Sequence, residues 1–292
     1  MIPMMNIVAW GKTVPWAELK QIEQDLIISR ALVELFNDPF LRGELRFRGG
    51  TALNKLHFPK PLRYSEDIDL TRTTAGPIGP VLDKVRAVLE PWLGRANFDQ
   101  SPVAPKLYFN VKAEDENAPS IRLKVEINTR ERTAHDSARS VPFAVKNPWF
   151  SGETNIETFS NEEILATKLR ALLQRDKGRD LIDLSHATTA FGDLNAARVL
   201  ELLRTYLTEA GQSVISRAQA EENMLAKIER KNFMADVRPL LSAEEAEKFD
   251  DAAARSTFRI VFQTFIKVIP GKQWALTAEK ATALGIPELA DG

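Results

Sequence analysis

The run Ser65-Glu66-Asp67-Ile68-Asp69-Leu70 sets two carboxylates two residues apart, with apolar side chains between and after them. On an extended strand alternate residues share a face, so Asp67 and Asp69 project together while Ile68 and Leu70 turn into a core. A chain with this run must build a sheet that is buried on one face and concentrates negative charge on the other. Carboxylates this close repel, and each raises the other's pKa unless a cation joins them. A divalent ion is the economical partner, because Mg²⁺ takes one or two carboxylates together with substrate phosphates. An Asp-X-Asp also occurs on plain surface strands, so its neighbours must decide.

Gly49-Gly50-Thr51 is the first such neighbour. It falls between a short strand pattern, Leu45-Arg46-Phe47-Arg48, and a helical segment from Ala52 to His57. Glycines let backbone approach a phosphate, and a helix N-terminus offers free N–H groups and the positive end of a dipole. Thr51 adds a hydroxyl donor. The competing reading is a tight turn that needs positive φ. Sixteen residues separate Gly50 from Asp67, which puts the acidic pair on the next strand.

Ile121, Leu123, Val125 and Ile127 alternate with Arg122, Lys124, Glu126 and Asn128. This period of two places the polar set on one strand face. Glu126 then either pairs with its basic neighbours in solvent or completes a carboxylate cluster with Asp67 and Asp69. Metals held by such a cluster activate an attacking hydroxyl and neutralise a leaving pyrophosphate. Together the motifs point to nucleotidyl transfer.

The remaining pattern divides the chain. A helix is expected from about Trp16 to Asn37, stopped by Pro39, and another from Val81 to Leu93. Lys106 to Ala113 and Ser120 to Asn128 read as strands. Asn147-Pro148-Trp149 through Glu153 reads as the exit from the sheet. Helical patterns follow at Glu162–Arg175, Arg179–Thr189, Ala196–Glu209, Ala218–Lys231 and Ala243–Ile269. We therefore expect an α/β domain over residues 1–155 and a mainly helical domain over 156–292.

Two features of the helical half carry charge where pattern alone would not place it. Ile164, Leu165, Leu169 and Leu172 form an apolar stripe, and Lys168 falls inside it. A lysine there either snorkels or meets an anion. Asp180 and Asp183 stand three apart near a helix start, after the basic run Arg175-Asp176-Lys177-Gly178-Arg179. Acids at a helix start complement its dipole, and the basic run also suits an anion.

Composition excludes several other classes. Hydrophobic residues make up 44% and charged residues 27% of the 292, as in soluble globular chains. No stretch approaches the roughly 20 uninterrupted apolar residues of a membrane span. Met1 to Trp10 lacks the pattern of a secretory signal. There is no cysteine, hence no disulfide and no thiolate metal site. These features fit the cytoplasm. With a net charge of −1 and a pI near 6.4, nucleic acid would have to bind a local basic patch. Residues 121–146 hold six Lys/Arg against three Asp/Glu, and residues 168–180 hold five against two.

Phe47-Arg48-Gly49-Gly50-Thr51-Ala52-Leu53-Asn54-Lys55, followed by Arg63-Tyr64-Ser65-Glu66-Asp67-Ile68-Asp69-Leu70, resembles the AbiEii family of nucleotidyltransferase toxins. The likeness continues through Lys124-Val125-Glu126-Ile127-Asn128-Thr129-Arg130, Lys168-Leu169-Arg170-Ala171-Leu172, and Arg175 to Leu184. It implies a polymerase-β-like nucleotidyltransferase fold, an α/β mixed sheet with a C-terminal helical domain. It also implies the toxin half of a type IV toxin–antitoxin pair, with a cognate antitoxin as partner. MenA-like members add nucleotides to the 3′ end of tRNA, blocking translation. On that likeness Gly49, Gly50 and Thr51 bind the triphosphate, Asp67 and Asp69 hold Mg²⁺ or Mn²⁺, and Lys168 meets nucleotide phosphates. Asp180 or Asp183 supplies a late essential acid. The gap from glycine turn to acidic pair is longer than in the wider superfamily, which leaves Arg63 and Ser65 open to roles of their own, nucleotide binding for Ser65.

Two rival readings remain at this level. One is a toxin that binds an NTP without transferring it. The other is a regulatory interaction module whose site has lapsed, against which stands the presence of every acid. Kinase chemistry is disfavoured, since the lysine and carboxylates come in the wrong order for that fold.

Overall fold

A computed structural model describes residues 2–290, and they form two compact units, the first ending at Ser160 and the second beginning at Asn161. The first unit opens with helices α1 (Met4–Gly11), α2 (Leu19–Asn37) and α3 (Pro39–Glu44). Asp38 ends α2 and caps α3, its carboxylate accepting from the Leu41 N–H at 3.0 Å, with Pro39 in the first helical position. Proline therefore stops one helix and starts the next, because the N–H it lacks would be unpaired there anyway.

Strand β1 (Leu45–Arg48) runs into helix α4 (Gly49–Ala52), which widens into a π turn over Leu53–His57. Strand β2 (Asp67–Arg72), helix α5 (Gly79–Leu93) and strands β3 (Asn97–Asp99), β4 (Lys106–Val111) and β5 (Ile121–Asn128) follow. A hairpin of β6 (Arg139–Asn147) and β7 (Phe150–Thr158) completes a seven-stranded sheet in the order β3-β4-β5-β2-β1-β7-β6. The sheet is mixed: β2 pairs with β5 and β1 with β7 in parallel, and the remaining pairs are antiparallel.

The expected alternation governs the central strands. Leu45, Phe47, Ile68, Leu70, Leu123, Val125 and Ile127 are buried, where α2 and α5 pack against the sheet. Their neighbours Arg46, Arg48, Asp67, Asp69, Lys124 and Glu126 stay part-exposed on the opposite face. Residues 147–149, in contrast, do not leave the sheet. They form the β6–β7 turn, where the Asn147 side chain accepts from the Trp149 N–H at 2.9 Å and donates to the Asn6 carbonyl at 2.9 Å. Ser, Gly, Thr and Asn leave β7 little apolar alternation, while Val141, Phe143 and Val145 alternate on β6, and the two strands pair with each other along a backbone ladder.

The second unit is helical: α6 (Asn161–Gln174), α7 (Gly178–Ala190), α8 (Ala196–Glu209), α9 (Arg217–Ile228), α10 (Ala243–Lys248), α11 (Asp251–Val261) and α12 (Thr277–Ala283). Helix α6 packs on α7 and α8, and α11 on α7. The apolar pattern from Ala243 to Ile269 is broken rather than continuous. Asp250 interrupts it, capping α11 by accepting from the Ala253 N–H at 2.8 Å. Buried Glu221 on α9 ties down the last segment, accepting from the Arg217 guanidinium at 2.7 Å, the Trp274 N–H at 2.9 Å and the Thr277 hydroxyl at 2.6 Å.

A similar buried acid organises the first unit. Asp25 on α2, 3% exposed, accepts from the Trp10 indole at 2.9 Å, the Trp16 indole at 3.1 Å and the Lys55 ammonium at 2.9 Å. Lys55 lies in the π turn after α4, so Asp25 fastens the segment that follows the glycine turn to α2. Removing one partner of a buried ion pair costs about 3–5 kcal/mol, because the other charge is left uncompensated. Asp25→Ala should lower the denaturant-unfolding free energy by about that amount, and a loss below ~1 kcal/mol, the scale of an exposed pair, would show that this hub is not structural.

Candidate active site

Strand β1 delivers the chain to Gly49, whose φ of +81° is a conformation L side chains rarely adopt. A Cβ there would lie 2.4 Å from Asp69 Oδ2, and one at Gly50 would lie 2.4 Å from Arg63 Nη2. The positive-φ reading of the turn therefore holds, and its backbone comes right up against an acid. Thr51 is buried, its hydroxyl donating to the Asp67 carbonyl and sharing a 2.7 Å hydrogen bond with the Ser65 hydroxyl. Its side chain thus fastens the turn to β2. What α4 leaves to a ligand is backbone N–H and dipole.

The long gap between turn and acidic pair is filled by structural residues. The Asn54 side chain donates to the Gly50 carbonyl at 2.9 Å and accepts from the Leu62 and Arg63 N–H groups at 2.8 and 3.0 Å. Buried Arg63 donates to the Tyr64 carbonyl at 3.0 Å and backs Gly50. These contacts define roles for the inserted segment that its sequence left open.

Registration across the strands gathers the acids. Asp67 sits beside Lys124 and Asp69 beside Glu126 in the parallel β2–β5 pair, while Arg48 faces Asp69 across β1–β2. Lys124 stands among the carboxylates, its ammonium 3.0 Å from Asp67 Oδ2, 3.0 Å from Glu126 Oε2 and 3.8 Å from Asp69 Oδ1. Burial raises the Asp69 carboxyl above its ordinary value; Lys124 pulls it down, and the charges of Asp67 and Glu126 push it up. The three acids in turn raise the Lys124 ammonium, although burial works the other way. Arg48 is held to one side by Glu131 at 2.8 Å and Thr71 at 3.3 Å.

An all-carboxylate donor set converging on one cation position suits a hard divalent ion. Among the described residues, no three acidic or histidine side chains already stand at metal-ligand spacing. They are spaced about an ammonium, whose contacts run roughly 1 Å longer than Mg–O bonds. Asp67, Asp69 and Glu126 carry the hard oxygen donors that would hold such an ion.

In the second unit Lys168 is buried, and the anion it meets is the protein's own. Its ammonium lies 3.1 Å from Asp180 Oδ1 and 3.0 Å from Asp183 Oδ2. Half-exposed Arg175 completes the cluster with a bidentate grip on Asp180, at 2.7 Å from Nε and 3.0 Å from Nη2. Asp180 and Asp183 are fully buried on α7. Burial works against the Asp180 charge, but Lys168 and Arg175 outweigh it and hold the carboxyl down to about 2.

Sequence reasoning thus named acids that the fold gathers within each unit, Asp67, Asp69 and Glu126 in one and Asp180 and Asp183 in the other. It offered Lys124 only as a basic neighbour pairing with Glu126 in solvent, gave Arg175 no acid partner, and did not single out Asp25, whose partners are Trp10, Trp16 and Lys55. Lys124 was legible two positions before Glu126 on the same face, and Arg175 seven after Lys168. Asp25 gave no signal, since an acid between apolar helix positions reads as surface until its partners are known.

A family model described as nucleotidyl transferase AbiEii toxin of the type IV toxin–antitoxin system matches residues 30–255, more than half of the chain. A search of curated proteins found no match. Among solved structures, MenT4, a nucleotidyltransferase toxin from Mycobacterium tuberculosis, aligns with a TM-score of 0.57 at 16% identity, over 98% of this chain and 99% of that one. JHP933 from Helicobacter pylori aligns with a TM-score of 0.51 at 16% identity, over 94% and 99%. At such identity the likeness speaks for the fold, a mixed α/β sheet with a helical half as seen in nucleotidyltransferase toxins.

The second-unit cluster makes two measurable differences. A carboxyl held below its ordinary 3.8 contributes stability that is complete above the unfolded value and lost as pH falls through the folded one. Stability should therefore decline as pH drops from about 5 towards about 2, and less steeply in Asp180→Asn. Identical pH profiles of the urea midpoint would refute this role for Asp180. Lys168→Met leaves two buried carboxylates with one cation and should cost about 3–5 kcal/mol. A melting temperature equal to or above that of the parent would return Lys168 to a ligand-facing role.

Proposed function

The chain belongs to the AbiEii family of nucleotidyltransferase toxins of type IV toxin–antitoxin systems, and on that premise we propose that it transfers NMP from an NTP to an RNA acceptor, the 3′ end of tRNA, and so blocks translation. The observation that carries this reading is the convergence of Asp67, Asp69 and Glu126 on one cation position while Asp69 packs against the Gly49 turn. A phosphate-binding backbone and a cation site then lie side by side, as phosphoryl chemistry requires.

In the proposed reaction the acceptor hydroxyl oxygen bonds to the α-phosphorus of the NTP. The bond from that phosphorus to the bridging oxygen breaks, pyrophosphate departs with its electron pair, and the hydroxyl proton passes to the acid cluster. The backbone N–H groups opening α4 hold the phosphates, with the glycines permitting their close approach. Asp67, Asp69 and Glu126 would hold Mg²⁺ or Mn²⁺, which supplies Lewis-acid stabilisation of charge on the reacting phosphates. Exposed basic residues of the first unit, among them Arg122 on β5 and Arg139 and Lys146 on β6, offer contacts for an RNA backbone on a chain whose net charge is −1. Among the described residues no helix is long and apolar enough to cross a membrane. We place the protein in the cytoplasm, where NTP, tRNA and a cognate antitoxin would meet it.

Incubation with total tRNA, Mg²⁺ and each labelled NTP in turn tests the proposal. The expected outcome is label on the tRNA 3′ end with pyrophosphate released, and a drop of at least about a hundredfold in folded Asp67→Asn or Asp69→Asn, the scale of losing electrostatic stabilisation in a transition state. Undiminished labelling by both variants would remove the acids from the site. Nucleotide binding without pyrophosphate release would favour a toxin that only sequesters NTP.

A further inference from the structure

We infer that Lys124 is the resident counter-cation of the acid cluster: its ammonium holds Asp67, Asp69 and Glu126 together in the metal-free protein and must leave their midst before a divalent ion can enter. This rests on the metal-binding reading of the three acids proposed above, and adds to it an internal competitor.

Register in the parallel β2–β5 pair sets Lys124 beside Asp67 and Glu126 beside Asp69, and Lys124 shares a strand face with Glu126 two residues on. The lysine therefore projects onto the acidic face whatever else happens there. Three carboxylates in one cluster repel unless a cation is placed among them. Arg48 assists only from one side of Asp69, because Glu131 and Thr71 hold its guanidinium. Lys124 does serve, reaching two of the carboxylates at 3.0 Å and the third at 3.8 Å.

The same geometry makes ammonium and metal mutually exclusive. Mg²⁺ binds oxygen at about 2.0–2.1 Å and must be closer to the carboxylates than the ammonium now is. Two cations sharing those oxygens would repel strongly at such separation. Exchange is sterically feasible, since the Lys124 side chain keeps 22% of its exposure and a flexible four-carbon stem lets the charged head swing towards water. The lysine thus has two consequences that separate it from an ordinary ion pair. It stabilises the cluster when metal is absent, and it weakens metal binding by the strength of the contacts that metal must break.

Titration of the metal-free protein with Mn²⁺ alone, without nucleotide, tests this. Lys124→Met should melt lower than the parent in chelator, gain more from saturating Mn²⁺, and bind Mn²⁺ roughly tenfold more tightly or better, the scale of a charge-assisted contact. Lys112→Met, which removes an exposed lysine just past the end of β4, should leave the affinity unchanged. Equal or weaker Mn²⁺ binding by Lys124→Met, with binding by the parent intact, would overturn the role of Lys124 and leave the metal site standing. Absence of Mn²⁺ binding in both would overturn site and lysine together. Should Lys124→Met fail to fold, amine acylation of the parent read by mass spectrometry gives the same answer. Labelling of Lys124 should rise several-fold when Mg²⁺ is added while Lys55 stays constant, and unchanged labelling of Lys124 would refute the exchange.

Discussion

Like charge crowded onto one sheet face is the constraint that the candidate site must satisfy. Asp67, Asp69 and Glu126 are brought together by the β2–β5 register, and their repulsion can be tolerated only with a cation among them. Lys124 supplies it from within the chain. The glycine turn belongs to the same crowding: a Cβ at residue 49 would sit 2.4 Å from Asp69 Oδ2, and its φ of +81° strains any other residue. Acid cluster and glycine turn are one packed arrangement, with Thr51 and Ser65 joining turn to strand behind it.

Buried acids with several partners recur as cross-links. Asp25 fastens α1, α2 and the segment after α4; Glu221 fastens α9 to the last helix; Asp180 and Asp183 fasten α7 to α6 through Lys168. A buried ion pair gains little over a well-packed apolar pair, but breaking it leaves a stranded charge. Such links therefore act less as sources of stability than as conditions on which helix meets which. In the first unit this has a functional side, since the Asp25–Lys55 pair holds the π turn that continues directly from the glycine turn.

The family's motifs fall on two kinds of chemistry. In the first unit they form a part-exposed face with an ammonium that can leave. In the second they form a closed network, with Asp180 and Asp183 fully buried and Lys168 nearly so. The same residue types, lysine among aspartates, are thus poised for exchange in one place and locked in the other, and burial makes the difference.

Local spacing alone determined which side chains share a face. The period of two from Ile121 to Asn128, the Asp-X-Asp of β2 and the glycines after β1 placed the core, the acidic face and the turn, because strand geometry makes alternation a matter of covalent structure. Helix boundaries in the second unit were similarly legible as far as α9, whereas the break at Asp250 and helix α12 were not. Partnership was not. The β6–β7 hairpin, whose second strand has little apolar alternation, is built by its own backbone ladder and joins the sheet where Thr158 pairs with Phe47. Lys124 became the centre of the cluster only when β5 came alongside β2, and Lys168 found its anion only when α7 packed on α6. Charge can be read from the sequence, but which opposite charge lies within 3 Å is decided by non-local packing, and it is that distance that sets pKa, stability and access for a metal.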